Sequence, residues 1–181
     1  MKVVPMTQSD PNIIMMPVAP EWHDIRDAVA RLCDGFPNEY WLKLDKEEAY
    51  PHDFVKALTE SGFLAALIPE EYGGSGLPLA AACAVLETIH SKGCNAAACH
   101  AQMYTMGTLL KHGSFEQKNK YLPKIATGEL RLQAFGVTEP TTGSDTTQLK
   151  TKAEKTDKDT YIVNGQKVWT SRAFESDLML L

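Results

Sequence analysis

Apolar residues recur at helical spacing through most of the first 128 positions and alternate with polar ones afterwards. Behind Pro20, the residues Glu21-Trp22-His23-Asp24 lead into Ile25, Val29 and Leu32, which share one face of a helix. Pro51 suits a first helical position; Phe54, Val55 and Leu58 line one face behind it, and Gly62 stops the segment. Residues 78–91 and 95–112 are long stretches rich in Ala, Leu and Met. They are apolar round most of their circumference, which predicts helices buried in a bundle. Gly113 ends the second, and Ser114-Phe115-Glu116-Gln117 is a capping box that opens a further helix, running toward Ala126 and stopping at Gly128. Between these helices, Leu67-Ile68-Pro69-Glu70-Glu71-Tyr72-Gly73-Gly74-Ser75-Gly76 must be a loop, since three glycines and a proline suit no regular element.

After Gly128 the period shortens. Leu132–Val137 alternates as a strand does. Thr160-Tyr161-Ile162-Val163 and Lys167-Val168-Trp169-Thr170 flank Asn164-Gly165-Gln166, the pattern of a hairpin whose turn residues tolerate positive φ. That hairpin would set Trp169 and Ser171 on one strand face. The charged stretch Lys150–Asp159 reads as a solvated strand and its turn, and Asp177–Leu181 opens another apolar strand. The fold class is α+β: an extended leader over 1–20, an all-α helical bundle over 21–130, then the first strands of an incomplete antiparallel β-barrel over 131–181. The apolar tail Leu178-Met179-Leu180-Leu181 reads as a strand without later neighbours. On this reading the chain self-associates through its C-terminal end, and truncation near Gly128 improves solubility while keeping the helices.

Composition narrows the function. With 44% hydrophobic residues the chain builds a real core. A net charge of −5 and no basic stripe with interleaved aromatics argue against nucleic acid. The apolar run near Leu77–Leu86 is far below the roughly 20 residues of a membrane span. Prolines at 5, 11, 17 and 20 interrupt any export signal. Cys33, Cys83, Cys94 and Cys99 form no Cys-x-x-Cys pair and read as reduced, buried thiols of a cytoplasmic protein.

The chemistry concentrates in Phe135-Gly136-Val137-Thr138-Glu139-Pro140-Thr141-Thr142-Gly143-Ser144-Asp145, a strand running into a hydroxyl-rich turn. Backbone amides around Val137 and Thr138, with the Thr138 hydroxyl, suit the polar edge of a flat cofactor. Pro140 biases Glu139 to an extended conformation, and Thr142-Gly143-Ser144 can form an amide-lined concavity for an anion. By its residues alone such a segment is more often an ordinary strand-to-loop exit. His90, Cys94, Cys99 and His100 lack the spacing of familiar zinc sites, so no metal is assigned. Glu70, Glu71 and Glu87 read as solvated or paired carboxylates, not as a base. Met103 and Met106 are adaptable core fillers or the lining of a ligand channel.

Four ordered segments change that weighting. Pro69-Glu70-Glu71-Tyr72-Gly73-Gly74-Ser75-Gly76 resembles a loop of the acyl-CoA dehydrogenase helical domain. Gln117-Lys118-Asn119-Lys120-Tyr121-Leu122-Pro123 with Thr127-Gly128-Glu129 resembles the approach to that family's β domain. Val137-Thr138-Glu139-Pro140 with Gly143-Ser144-Asp145 is similar to its flavin strand, and Asn164-Gly165-Gln166-Lys167-Val168-Trp169-Thr170-Ser171 to the hairpin behind it. Together they are specific over residues 67–171.

The resemblance implies FAD as cofactor, with Phe135, Val137 and Thr138 against the ring, Trp169 packed on it and Ser171 near N5. It places Ser144 near the cofactor phosphate or coenzyme A, and Met103 and Met106 along the acyl channel. The family often has tyrosine where Phe135 stands and threonine where Ser171 stands; an aromatic and a hydroxyl are kept. The implied parent reaction is α,β-dehydrogenation of an acyl-CoA thioester, with hydride passing to flavin N5 and electrons to an electron-transferring flavoprotein. The implied parent is a homo-oligomer. Its base comes from a C-terminal helical domain, so no catalytic residue is assigned within 1–181 and the chain reads as a fragment, inactive alone. Two other readings stay open: a non-catalytic module that binds a full-length relative, and the N-terminal half of a related flavin monooxygenase.

Overall fold

A computed structural model describes residues 22–158 and 160–181; the leader expected over 1–20 lies outside the described residues. Six helices come first: α1 His23–Cys33, α2 Asn38–Glu47, α3 His52–Glu60, α4 Leu79–Ser91, α5 Ala97–His112 and α6 Phe115–Thr127. Four short strands follow: β1 Leu132–Phe135, β2 Lys152–Lys155, β3 Tyr161–Asn164 and β4 Leu178–Leu180. A helical domain followed by the opening strands of a β domain is the architecture the residue pattern predicts.

Two apolar cores hold the helices. In the first, Val29 and Cys33 of α1 meet Phe54, Val55 and Leu58 of α3, and Val85 and Ile89 of α4. Full burial of side chains of this size stabilises by about 1.5–3 kcal/mol each. In the second, Ile68, Met106, Leu122 and Ile125 enclose Leu132 of β1. The Ser114 box opens α6 as its residues require: the Gln117 N–H donates to Ser114 Oγ at 3.2 Å, and the Ser114 N–H donates to Gln117 Oε1 at 2.8 Å. At the other end Gly128 adopts φ +76°, and a Cβ there would lie 2.5 Å from Thr59 Cγ2, so both conformation and space select glycine.

The residue pattern missed α2. Its sequence NEYWLKLDKE has no fully buried residue. What seats it is an aromatic cluster: Phe36, Tyr40, Trp41 and Phe54 meet edge to face at centroid distances of 5.0–5.1 Å.

Three expectations about the β region need correction. The hairpin is β2–β3, paired antiparallel from Lys152↔Asn164 to Lys155↔Tyr161. Asn164-Gly165 closes no hairpin and 167–170 is not a strand. Gly165 is still needed, for a different reason: a Cβ there would meet Thr151 Oγ1 at 2.2 Å. Second, β4 is not orphaned. It pairs with β1 in parallel, Leu132↔Leu178 to Phe135↔Leu180, and Leu178 packs on the second core. Apolar exposure is found on the hairpin, at Tyr161, Ile162 and Val163, as well as at Met179 and Leu181 of the tail. Third, β1 belongs to the helical core: Leu132, Gln133 and Ala134 are buried against α5. Cutting at Gly128 would uncover Met106 and Thr105, so we expect it to destabilise the helices. Cys83 departs from the expectation of four buried thiols and is exposed.

Candidate functional site

The site is built where β1 runs out. The Gly136 N–H donates to the Leu180 carbonyl at 2.8 Å, the last tie to β4. Beyond it, the Val137 carbonyl accepts from Lys167 Nζ at 2.9 Å, and the Val168 N–H donates to the Thr138 carbonyl at 2.9 Å. These bonds seam the expected ring-binding strand to the segment carrying Trp169. The N–H groups of Val137 and Thr138 take no partner among the described residues. Pro140 and Thr141 turn the corner of a tight loop in which Glu139 and Thr142 exchange N–H and C=O at 2.9 and 3.1 Å.

Glu139 is the hub of this seam and was not anticipated as one. Only 5% exposed, its carboxylate accepts from the Lys150 N–H at 2.7 Å, the Thr151 N–H at 2.8 Å and Lys167 Nζ at 3.0 Å. The adjacent Thr151 hydroxyl, leaning on the carboxylate without closing a well-formed hydrogen bond, and then these N–H donors hold its carboxyl down to about 2. An ionised carboxylate committed to three donors does not accept a substrate proton. Its signal in the sequence was a carboxylate before a strand-ending proline, with a lysine between two strand-like runs.

The expected anion concavity is smaller than its sequence suggested. The Thr142 N–H is committed to Glu139, and the Thr142 hydroxyl donates to the Gln148 carbonyl at 3.3 Å. Asp145 accepts from the Thr147 N–H at 3.1 Å and caps the turn Thr146–Gln148. Ser144 therefore sits at the exposed tip of a loop closed on itself.

The structure places the ring residues as follows. Phe135 is 41% exposed and meets Tyr104 of α5 at a centroid distance of 5.7 Å; His100 continues this row at 5.1 Å from Tyr104. Trp169 is 88% exposed. Both it and Arg172 have positive φ, +61° and +60°, so Trp169 and Ser171 do not share a strand face as expected. Met103 and Met106 are buried in the two helical cores. The face of α5 beside Phe135 is carried by His100 and Tyr104, residues the sequence analysis did not select for it. Their signal was available: they lie four apart, one helical turn. Among the described residues no cluster of three or more metal-ligating side chains occurs, and no helix is long and apolar enough to cross a membrane.

The described residues form a helical domain that leads into a strand end with open amides. Residues 19–129 match the acyl-CoA dehydrogenase N-terminal domain, and residues 134–181 match the acyl-CoA dehydrogenase middle domain. The chain belongs to the acyl-CoA dehydrogenase family. It is 38% identical to a glutaryl-CoA dehydrogenase of Desulfococcus multivorans, over 87% of this chain and 40% of that protein. It is 35% identical to a probable acyl-CoA dehydrogenase, FadE25, of Mycobacterium tuberculosis, with the same coverage of both. The fold superimposes on an acyl-CoA dehydrogenase from Geobacillus kaustophilus with a TM-score of 0.79 at 29% identity, over 91% of this chain and 43% of that one. The chain thus spans about two fifths of the length of the curated relatives it matches.

Proposed function

We propose that this chain forms the helical wall and one flavin-facing wall of an FAD-dependent acyl-CoA dehydrogenase. The observation that carries this is the seam at Thr138 and Val168, which sets the open amides of Val137 and Thr138 beside a segment whose indole is uncovered. Open donors and an uncovered aromatic plate fit a flat ring with a polar edge. When bound, the flavin supplies a hydride acceptor for the β-carbon of an acyl-CoA thioester whose α-proton a base removes.

The chain's own residues bind and orient. Val137 and Thr138 donate to the ring edge, Trp169 and Phe135 flank it, and the Ser171 hydroxyl stands near it. Ser144 serves the phosphate or the coenzyme A side. Glu139 and Lys167 keep the strand end and the Trp169 segment in register. No residue of the chain is assigned as the base. An electron-transferring flavoprotein as acceptor, a homo-oligomeric whole enzyme and a cytoplasmic location complete the reading.

The test is a chimera in which residues 22–181 replace the matching part of the Desulfococcus relative. We expect it to retain flavin and to reduce an artificial acceptor when given an acyl-CoA. A folded chimera without flavin refutes the cofactor reading; one with flavin that consumes oxygen without desaturating acyl-CoA points to monooxygenase chemistry. The chain by itself is expected to hold flavin weakly, and stoichiometric yellow colour after gel filtration would contradict that.

A further inference from the structure

Far from the cofactor strand, two thiols meet where the end of α1 abuts the link between α4 and α5. The Cys94 thiol is directed at the Cys33 carbonyl oxygen, 3.9 Å away, and at that of Phe36, 4.0 Å away, so the two cysteines are direct neighbours and Cys94 acts on the Cys33 thiol electrostatically. The same two elements are tied beside them by the Lys92–Asp34 ion pair. This ion pair brings Lys92 within electrostatic reach of both sulfurs. The pair is not symmetric. Cys33 is sealed in the first core, whereas Cys94, also buried, lines a groove of about 860 Å³ with Trp41, Leu44, Asp45, His90 and Gly93. Of the two cysteines, only Cys94 is among the residues lining the groove, the side from which a small oxidant would approach.

We infer that Cys33 and Cys94 form a reversible, hydroperoxide-driven disulfide in which Cys94 reacts first and Cys33 resolves. In the first step Cys94 sulfur attacks the peroxide O–O bond. A sulfenic acid forms and water, or the alcohol of an organic hydroperoxide, leaves. In the second step Cys33 sulfur displaces hydroxide from the sulfenic acid; the S–S bond forms and the departing oxygen leaves as water with the Cys33 proton. Two thiols lose two electrons and the peroxide gains them. The Lys92 ammonium favours the Cys33 thiolate, while burial outweighs it, pushes the Cys33 thiol up and keeps it protonated until its partner is oxidised. Cys99, sealed in the same core and pushed up to about 12 by burial, has no such access. The product would staple the end of α1 to the α4–α5 link beside the groove.

The experiment treats the reduced chain with limiting hydrogen peroxide, then maps peptides without reduction. The expected result is a fall in free thiols from four to two, loss of two hydrogens in mass, and a Cys33–Cys94 cross-linked peptide that dithiothreitol removes. Cys83→Ser should leave this product unchanged, and Cys33→Ser should leave Cys94 trapped as a dimedone adduct. Mapping needs no variant, so a misfolded mutant cannot hide the answer. Oxidation that stops at single-cysteine products, or links through Cys83 between chains, overturns the inference.

Discussion

Removing one hydroxyl, in Tyr50→Phe, tests how the two domains are joined. Tyr50 Oη donates to Gln133 Oε1 at 2.6 Å. Gln133 Nε2 then donates to Gln102 Oε1 at 3.3 Å, and Gln102 Nε2 to the Leu64 carbonyl at 3.3 Å. Gln102 and Gln133 are fully buried, so no water replaces what is lost at the amides. The chain of bonds ties the α2–α3 link to β1, α5 and the loop after α3. The change forfeits a net hydrogen bond of about 0.5–1.5 kcal/mol and strands a buried acceptor at about 1–3 kcal/mol. Because Tyr50 itself borders an open cleft, the middle of that range applies, about 2 kcal/mol. For a domain of this size that lowers Tm by about 4–8 °C. Circular dichroism melts and urea titrations of the two chains read it directly. A cycle with Gln133→Met should show coupling of about 1 kcal/mol or more, because each change breaks the same network. A loss under about 0.5 kcal/mol, or strict additivity in the cycle, would refute the reasoning.

Three further outcomes are expected. Glu139 has a folded pKa depressed to about 2, so its contribution is fully present above its unfolded value of about 4.5 and is lost as pH falls through about 2; the stability gap between the chain and Glu139→Gln should be full at neutral pH and close in acid, and a gap that widens in acid reverses the sign. Ile162→Lys places a charge on the exposed hairpin and should reduce self-association by light scattering, whereas Leu178→Lys should unfold the second core instead; equal solubility gains from both would return the sticky surface to the C-terminal end. In the chimera, Trp169→Ala should weaken flavin retention by about 2- to 10-fold, the worth of about 0.5–1.5 kcal/mol of ring contact, while Trp22→Ala at the start of α1 should not; equal effects of the two would remove Trp169 from the cofactor site.

What could be read from the residues was local. The Ser114–Gln117 box, the Gly128 stop and the helical faces of α1 and α3 involve neighbours three or four apart, and they form as their spacing dictates. The segment around Val137–Ser144 stood out through its resemblance to a family motif, since by its local turn chemistry alone it reads as an ordinary strand-to-loop exit. The misread pieces depend on distant partners. Asn164-Gly165 has the composition of a tight turn, yet its glycine answers to Thr151, which only the fold brings within reach. The ion pair of Glu139 and Lys167 spans two motifs, and nothing in either predicts that both charges are buried together. Met103 and Met106 fill the two cores, as their residue type suggested, while the helical register gives the face of α5 beside Phe135 to His100 and Tyr104.

The parallel partnership of β1 and β4 has a kinetic meaning. The β2–β3 hairpin closes a turn of a few residues, but β4 must return across residues 136–177 to reach its place. That loop is roughly three doublings longer, adding about 2 kcal/mol of closure entropy before any contact rewards it. From this topology we expect the helical cores to gather β1 early, since α5 and α6 lie close in sequence, and β4 to dock late. Until it docks, the Gly136 N–H and the Arg131 carbonyl have no partner there, and the Trp169 segment is held only through Lys167 and Val168. The strand end that carries the open amides is therefore completed late in assembly, by a partner more than forty residues further along the chain.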